Sequence, residues 1–139
     1  MQGLKNILII EDDSSLRFLL EKILGRKYNV NSCSNAMDAL CWLTEGNIPD
    51  LILTDIIMPS LTGIEFLEKL RESGLFKNIP VVILSGLDDP EKKRRGAELG
   101  VSSFLNKPFE PATLLETIDK IIESKSSETS LTLNNEYYV

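Results

Sequence analysis

The chain has 139 residues, 42% hydrophobic and 26% charged, the balance of one ordinary soluble domain rather than a disordered chain. With 15 Lys and Arg against 21 Asp and Glu, the net charge of −6 argues against non-specific nucleic-acid binding, and no apolar run reaches the roughly 20 residues of a membrane span. The chain has no His, which removes His-based acid–base catalysis, the Ser-His-Asp triad and His metal ligation together. Cys33 and Cys41 make no CxxC pair, so any metal would be held by oxygen, as magnesium or calcium is. The N-terminus does not read as a signal peptide, and the expected location is the cytoplasm.

The first element is a strand, Asn6 to Ile10, whose continuous run Ile7-Leu8-Ile9-Ile10 suits burial on both faces of a parallel sheet. A helix follows, with Leu16, Leu19, Leu20, Ile23 and Leu24 on one apolar stripe. Asp13 or Ser14 caps it, Gly25 stops it, and Phe18 lies off the stripe. Asn29 to Cys33 is more polar and alternates, as an edge strand would. Asn35 then caps a helix with Ala36, Ala39, Leu40 and Leu43 inward and Gly46 after it. The third strand is Leu51 to Thr54, and its helix carries Ile64, Leu67, Leu70 and Arg71 before Gly74. The fourth strand is Val81 to Leu84. Asp89-Pro90-Glu91 opens a helix that ends at Gly100, its basic run Lys92 to Arg95 read as a solvated face. The fifth strand is Ser103 to Asn106, and Pro111 opens a helix with Leu114, Leu115, Ile118, Ile121 and Ile122 inward. From residue 124 Ser and Thr crowd the chain, which reads as a linker or flexible tail ending in Tyr137, Tyr138 and Val139.

Strand and helix thus alternate five times, which calls for a parallel α/β sheet with helices on both faces. Ligands of such sheets bind at the carboxyl edge of the strands. Glu11, Asp12 and Asp13 follow the first strand, Asp55 the third, Ser85 the fourth and Lys107 the fifth. Residues scattered from 11 to 107 therefore converge on one pocket. Asp13, Asp88 and Asp89 are more simply turn or cap residues. Glu11, Asp12 and Asp55 against Lys107 leave about −2 if all are ionised, which a divalent cation would offset. A cation, a Lys and a hydroxyl are the parts that hold a phosphoryl group, and a carboxylate can be its acceptor.

In order and spacing, four stretches resemble the receiver domain of two-component response regulators. They are Ile7 to Asp13, Asp50 to Pro59 with Gly63, Val81 to Gly86, and Gly100 through Lys107-Pro108-Phe109. The resemblance implies a flavodoxin-like (βα)5 fold, a doubly wound parallel sheet of order 2-1-3-4-5, over residues 1–123, with 124–139 as the tail. It implies Asp55 as phosphoacceptor, with Glu11, Asp12, Asp55 and the backbone carbonyl of Ile57 holding Mg²⁺. Ser85 and Lys107 would serve the phosphate, Lys107-Pro108 would be cis, and Phe104 would stand at the aromatic switch position. Its partners would be a sensor histidine kinase or a histidine phosphotransfer protein, with a homodimer through the fourth helix, fifth strand and fifth helix also admitted, and no direct nucleic-acid or membrane contact.

Three departures stand out: Glu11 where Asp is more frequent, Phe rather than Tyr at 104, and apolar Ile57 and Leu87, which would lengthen the acyl-phosphate lifetime. Phe18, with Leu16, is a candidate contact for the phosphodonor. Competing classes fit less well. A haloacid-dehalogenase-type phosphatase needs a second Asp where Ile57 stands, and a nucleotide binder needs a Gly-rich loop where Glu11-Asp12-Asp13 stands. The remaining alternative is a receiver-like protein-binding module that works without phosphorylation. As a phosphoacceptor the chain would be a signalling switch rather than a turnover enzyme, catalysing only its own phosphorylation and dephosphorylation.

Overall fold

The computed structural model describes residues 3–56, 62–86 and 90–137, the last stretch 126–137 by backbone only. The elements run β1 (Asn6–Ile10), α1 (Ser14–Leu24), β2 (Asn29–Cys33), α2 (Ala36–Thr44), β3 (Leu51–Asp55), α3 (Gly63–Glu72), β4 (Val81–Ser85), α4 (Pro90–Glu98), β5 (Ser103–Asn106) and α5 (Pro111–Tyr137). All strand pairings are parallel, in the order β2-β1-β3-β4-β5. β2 is an edge strand, which accounts for its polar, alternating sequence.

The alternation of side chains along each strand divides the core into two layers. Ile7, Ile9, Leu51, Leu53, Val82 and Leu84 point to one face, where Leu20 and Leu24 of α1 and Leu114 and Ile118 of α5 cover them. Leu8, Ile10, Ile52, Val81 and Ile83 point to the other, under Ala36, Ala39 and Leu43 of α2 and Phe66, Leu67 and Leu70 of α3. β1, β3 and β4 are buried on both sides, so their sequences carry no polar alternation.

Local signals set most helix ends. Asp13 accepts the backbone N–H groups of Ser15 and Leu16 and caps α1, and Asn35 accepts that of Asp38 and caps α2. α3 starts with a capping box between Thr62 and Glu65. α4 begins at Pro90 as expected; Asp88 and Asp89 lie outside the described residues. Gly46 closes the α2 turn at φ 104°, and Gly100 the α4 turn at φ 79°.

Two features depart from the sequence expectations, and the extent of α5 adds to them. Leu19 is 47% exposed rather than part of the buried stripe of α1, because Leu20 and Leu24, with Leu16 and Ile23 beside them, already cover the sheet. Phe66, not assigned inward, is fully buried under α3. The backbone of α5 stays helical through the Ser/Thr-rich segment as far as Tyr137. At about 1.5 Å per residue its 27 residues span roughly 40 Å, well beyond the length of a five-residue strand. Lys125, near the point where α5 leaves the sheet, donates to the carbonyl of Asn78 at 2.6 Å.

Candidate functional site at the carboxyl edge of the sheet

The strand ladders extend one residue past the carboxyl edge and thereby fix the site. The amide of Glu11 donates to Cys33 O at 3.0 Å, that of Ile56 to Leu84 O at 3.2 Å, and that of Lys107 to Ser85 O at 2.8 Å. Asp55 and Ser85 are the last residues of β3 and β4. Four side chains far apart in sequence are thus brought to one place by backbone hydrogen bonds alone.

Lys107 lies at the centre. Its Nζ donates to Asp55 Oδ2 at 2.6 Å and to Glu11 Oε1 at 2.9 Å. Both acceptors are buried, Glu11 at 1% and Asp55 at 8% exposure, so the ion pairs are little screened. Burial pushes the Glu11 carboxyl up to about 7; the bond from Lys107 opposes this, and the nearby Asp55 adds to it. Burial lowers the Lys107 ammonium, but its two carboxylate partners outweigh that and hold its pKa above the ordinary value.

Asp12 is exposed at the mouth of the site. One carboxylate oxygen from each of Glu11, Asp12 and Asp55 lies within 4.8 Å of the others, a spacing suited to one cation. Among the described residues Glu11 Oε2 is buried with no hydrogen-bond partner. An orphaned buried oxygen costs about 1–3 kcal/mol, and a bound cation would satisfy it. The all-oxygen donor set fits a hard ion such as Mg²⁺. The carbonyl of Ile57 and the side chain of Leu87 lie outside the described residues.

Ser85 is 2% exposed at the end of β4, the strand beside Asp55, and Gly86 lies against the Lys107 stem. The Lys107-Pro108 bond is cis. Phe104 is not in the pocket: it is half-buried two residues before the end of β5 and packs toward α4. Sequence reasoning missed Arg17, whose guanidinium donates to Glu11 O at 2.8 Å and anchors the β1–α1 turn. A cation in the first turns of a helix is too ordinary to have signalled this. Phe18 is 59% exposed, with Lys22 Nζ 5.2 Å over its ring. Beside the pocket a cleft of about 440 Å³ is lined by Leu16, Leu19, Gly86, Lys107, Pro108 and Phe109. The basic run of α4 is partly neutralised: Arg94 pairs with Glu91 and Glu98, and Arg95 with Glu68 and Glu98. Among the described residues no helix is long and apolar enough to cross a membrane.

Residues 7–119 match the response regulator receiver domain family. The two-component response regulator ORR6 of Oryza sativa subsp. japonica is 37% identical over 123 residues, covering 86% of this chain and 72% of that protein. Histidine kinase P4 of Formosa agariphila is 34% identical over 119 residues, 86% of this chain but only 9% of that much longer protein. Among solved structures, a CheY-like response regulator receiver domain protein from Methanospirillum hungatei JF-1 superposes with a TM-score of 0.85 at 28% identity, over 91% of this chain and 99% of that one. With the strand order, the acidic cluster and the bridging lysine already in place, these likenesses show that the chain belongs to the response regulator receiver domain family of two-component signalling.

Proposed function

We propose that Asp55 accepts a phosphoryl group from a histidine kinase or histidine phosphotransfer protein, and that this charge event resets the surface of α4, β5 and α5. The observation that supports it best is Lys107 bonded at once to Asp55 and Glu11, with Ser85 on the adjoining strand end. A carboxylate oxygen of Asp55 attacks phosphorus, the P–N bond of the donor breaks, and the imidazole leaves with the bonding pair. The product is an acyl phosphate. Lys107 is within reach of the equatorial oxygens, and the Ser85 hydroxyl can donate to the new phosphate.

Glu11, Asp12 and Asp55, with the Ile57 carbonyl, are the residues that would hold Mg²⁺. When bound, the ion neutralises charge on the transferring group. Arg17 keeps the β1–α1 turn in place for that set, while Lys107 gives up its Asp55 contact to the incoming phosphate. The apolar cleft of Leu16, Leu19 and Phe109, with exposed Phe18 beyond it, is where the donor would seat its own helix. Residues 1–123 form the receiver and 124–139 the segment leading away from it. The reaction belongs in the cytoplasm, in keeping with the free thiols Cys33 and Cys41. Any output exercised through α4, β5 and α5 is a protein contact, a second copy of the chain included, rather than nucleic-acid binding.

Intact-mass measurement after adding a small phosphodonor with Mg²⁺ tests this. One phosphoryl group on the parent and none on Asp55→Asn is the expected result. No adduct after rapid quenching, and no beryllofluoride binding, would instead support a binding module that works without phosphorylation.

A further inference from the structure

α2 carries more apolar surface than the sheet uses. Of its nine residues only Asp38 and Thr44 are polar. Ala36, Ala39 and Leu43 are its buried side, packed over β1 and β2. The opposite side of a surface helix is ordinarily polar, as on α3, where Glu65, Lys69 and Glu72 are exposed. On α2 it is not. Met37 is 50% exposed, Cys41 one turn later is exposed, and Leu40 and Trp42 are half-buried on the flanks. Asn47 Nδ2 donates to Trp42 O at 2.8 Å and holds the following turn against the end of the helix, where Ile48 is also exposed. Single exposed apolar residues such as Leu4 and Leu75 are ordinary. Several gathered on one short segment, on a helix apolar all round, mark a face that another surface covers.

Charge says what kind of surface that is. From Tyr28 to Glu68 the sequence holds Asp38, Glu45, Asp50, Asp55, Glu65 and Glu68 and no Lys or Arg. This span carries −6, the net charge of the whole chain, and the remaining 15 acids and 15 cations balance. Asp50 is held by the amide of Asn6, Asp55 by Lys107 and Glu68 by Arg95. Asp38 and Glu45 are exposed on the outward side of the α2 segment, beside Met37 and one turn after Cys41. An apolar strip edged by acids repels nucleic acid and anionic lipid and complements a cationic partner.

We propose that the outward side of α2 is a docking face for a cationic amphipathic helix of another protein. α2 is about 13 Å long, so a partner helix of similar length lies along it. The partner's apolar residues pack among Met37, Cys41 and Ile48, ridges into grooves, and its Lys or Arg side chains reach Asp38 and Glu45. The face lies across the sheet from α1 and α5, and so apart from the cleft of Leu16, Leu19 and Phe109. It stands whether or not Asp55 accepts a phosphoryl group.

The test uses the full chain and a Trp-free helical peptide of Leu and Lys in amphipathic spacing, beside the same peptide with Glu for every Lys. Trp42 is the only Trp in the chain and sits in α2, so its fluorescence reports the contact directly. The Lys peptide should shift Trp42 emission saturably, and the Glu peptide should not. Met37→Gln with Ile48→Gln removes apolar contact at two exposed positions without touching the core, and should weaken binding at least about tenfold with an unchanged thermal melt. Asp38→Asn with Glu45→Gln should weaken it at least about threefold and flatten its salt dependence. Leu75→Gln, at an exposed apolar position outside α2, should bind as the parent does. No saturable Trp42 response, equal binding of the Glu peptide, or equal weakening by Leu75→Gln overturns the proposal. Sedimentation of the chain alone supplies the last arm: a dimer that Met37→Gln with Ile48→Gln dissolves assigns the face to a second copy and overturns the cationic helix, whereas a monomer upholds it.

Discussion

Gly63 lies where α3 begins, directly against the strand end that carries Asp55. A Cβ there would stand 2.5 Å from Asp55 O, 2.9 Å from Ile56 Cα and 3.3 Å from Ile56 O. All three are backbone atoms, so no rotamer change relieves the overlap. Nor can the helix simply back away, because Gly63 N donates to Ile56 O at 3.0 Å and Thr62 caps the turn. Overpacking of this kind costs typically 1–3 kcal/mol, and rigid neighbours put Gly63→Ala at the upper end. The better helix propensity of Ala returns at most about 1 kcal/mol. The net is a loss of about 2 kcal/mol, which in a chain of this size lowers Tm by roughly 7 °C. Urea and thermal unfolding of the Mg²⁺-free protein measure it. Because the displaced atom is the Asp55 carbonyl, the phosphoacceptance rate should fall by about tenfold or more as well. A Tm equal to or above that of the parent would mean that propensity outweighs packing here, and the account of how α3 fixes Asp55 would be wrong.

Lys107→Met leaves two buried carboxylates facing each other. It should cost about 3 kcal/mol in urea unfolding at pH 8, with Mg²⁺ recovering part of the loss. The Glu11 carboxyl, raised to about 7, gives a definite sign. The folded state binds its proton more tightly than the unfolded state, so its ionisation opposes folding; its contribution to stability is greatest below about pH 4.5 and declines as pH rises through 7. Between those values Glu11→Gln should be less pH-dependent than the parent without metal, and parallel curves would refute the shift. The Arg71 guanidinium donates to Leu99 O at 2.7 Å, to Lys77 O and Ile79 O at 3.0 Å, and to Gly100 O at 3.2 Å. An ammonium cannot reproduce that fork, so Arg71→Lys should lose about 2 kcal/mol by urea titration. Tyr28 donates to Asp119 and is 6% exposed, so Tyr28→Phe should cost about 1–2 kcal/mol in the same assay and leave phosphoacceptance unchanged.

The sequence made the strands and the pocket legible for the same reason. β1, β3 and β4 are buried on both faces and read as apolar runs, at whose ends stand Glu11, Asp55 and Ser85, while the edge strand β5 ends in Asn106 with Lys107 next; a parallel sheet gathers those strand ends at one edge. Glu11, Asp55, Ser85 and Lys107 could be placed together on that argument alone. What escaped depends on shape rather than polarity. Leu19 and Leu20 are equally apolar, and only which side of α1 faces the sheet exposes the first and buries the second. Phe66 adjoins Leu67, and a pattern read at helical spacing can assign one of two neighbours inward without excluding the other. Arg71 is placed on its helix with Ile64, Leu67 and Leu70, but the carbonyls of Lys77, Ile79, Leu99 and Gly100 that converge on it come from other segments and leave no mark in that pattern. Gly96 is the sharpest case, for a Cβ there would stand 2.6 Å from Phe104 Cζ. Within a charged helix a glycine looks like a weak point, and nothing in its own neighbourhood says that a ring on the following strand needs the space. Packing complementarity between elements of different type is written in pairs of residues, here 96 and 104, and a pattern read one element at a time does not contain it.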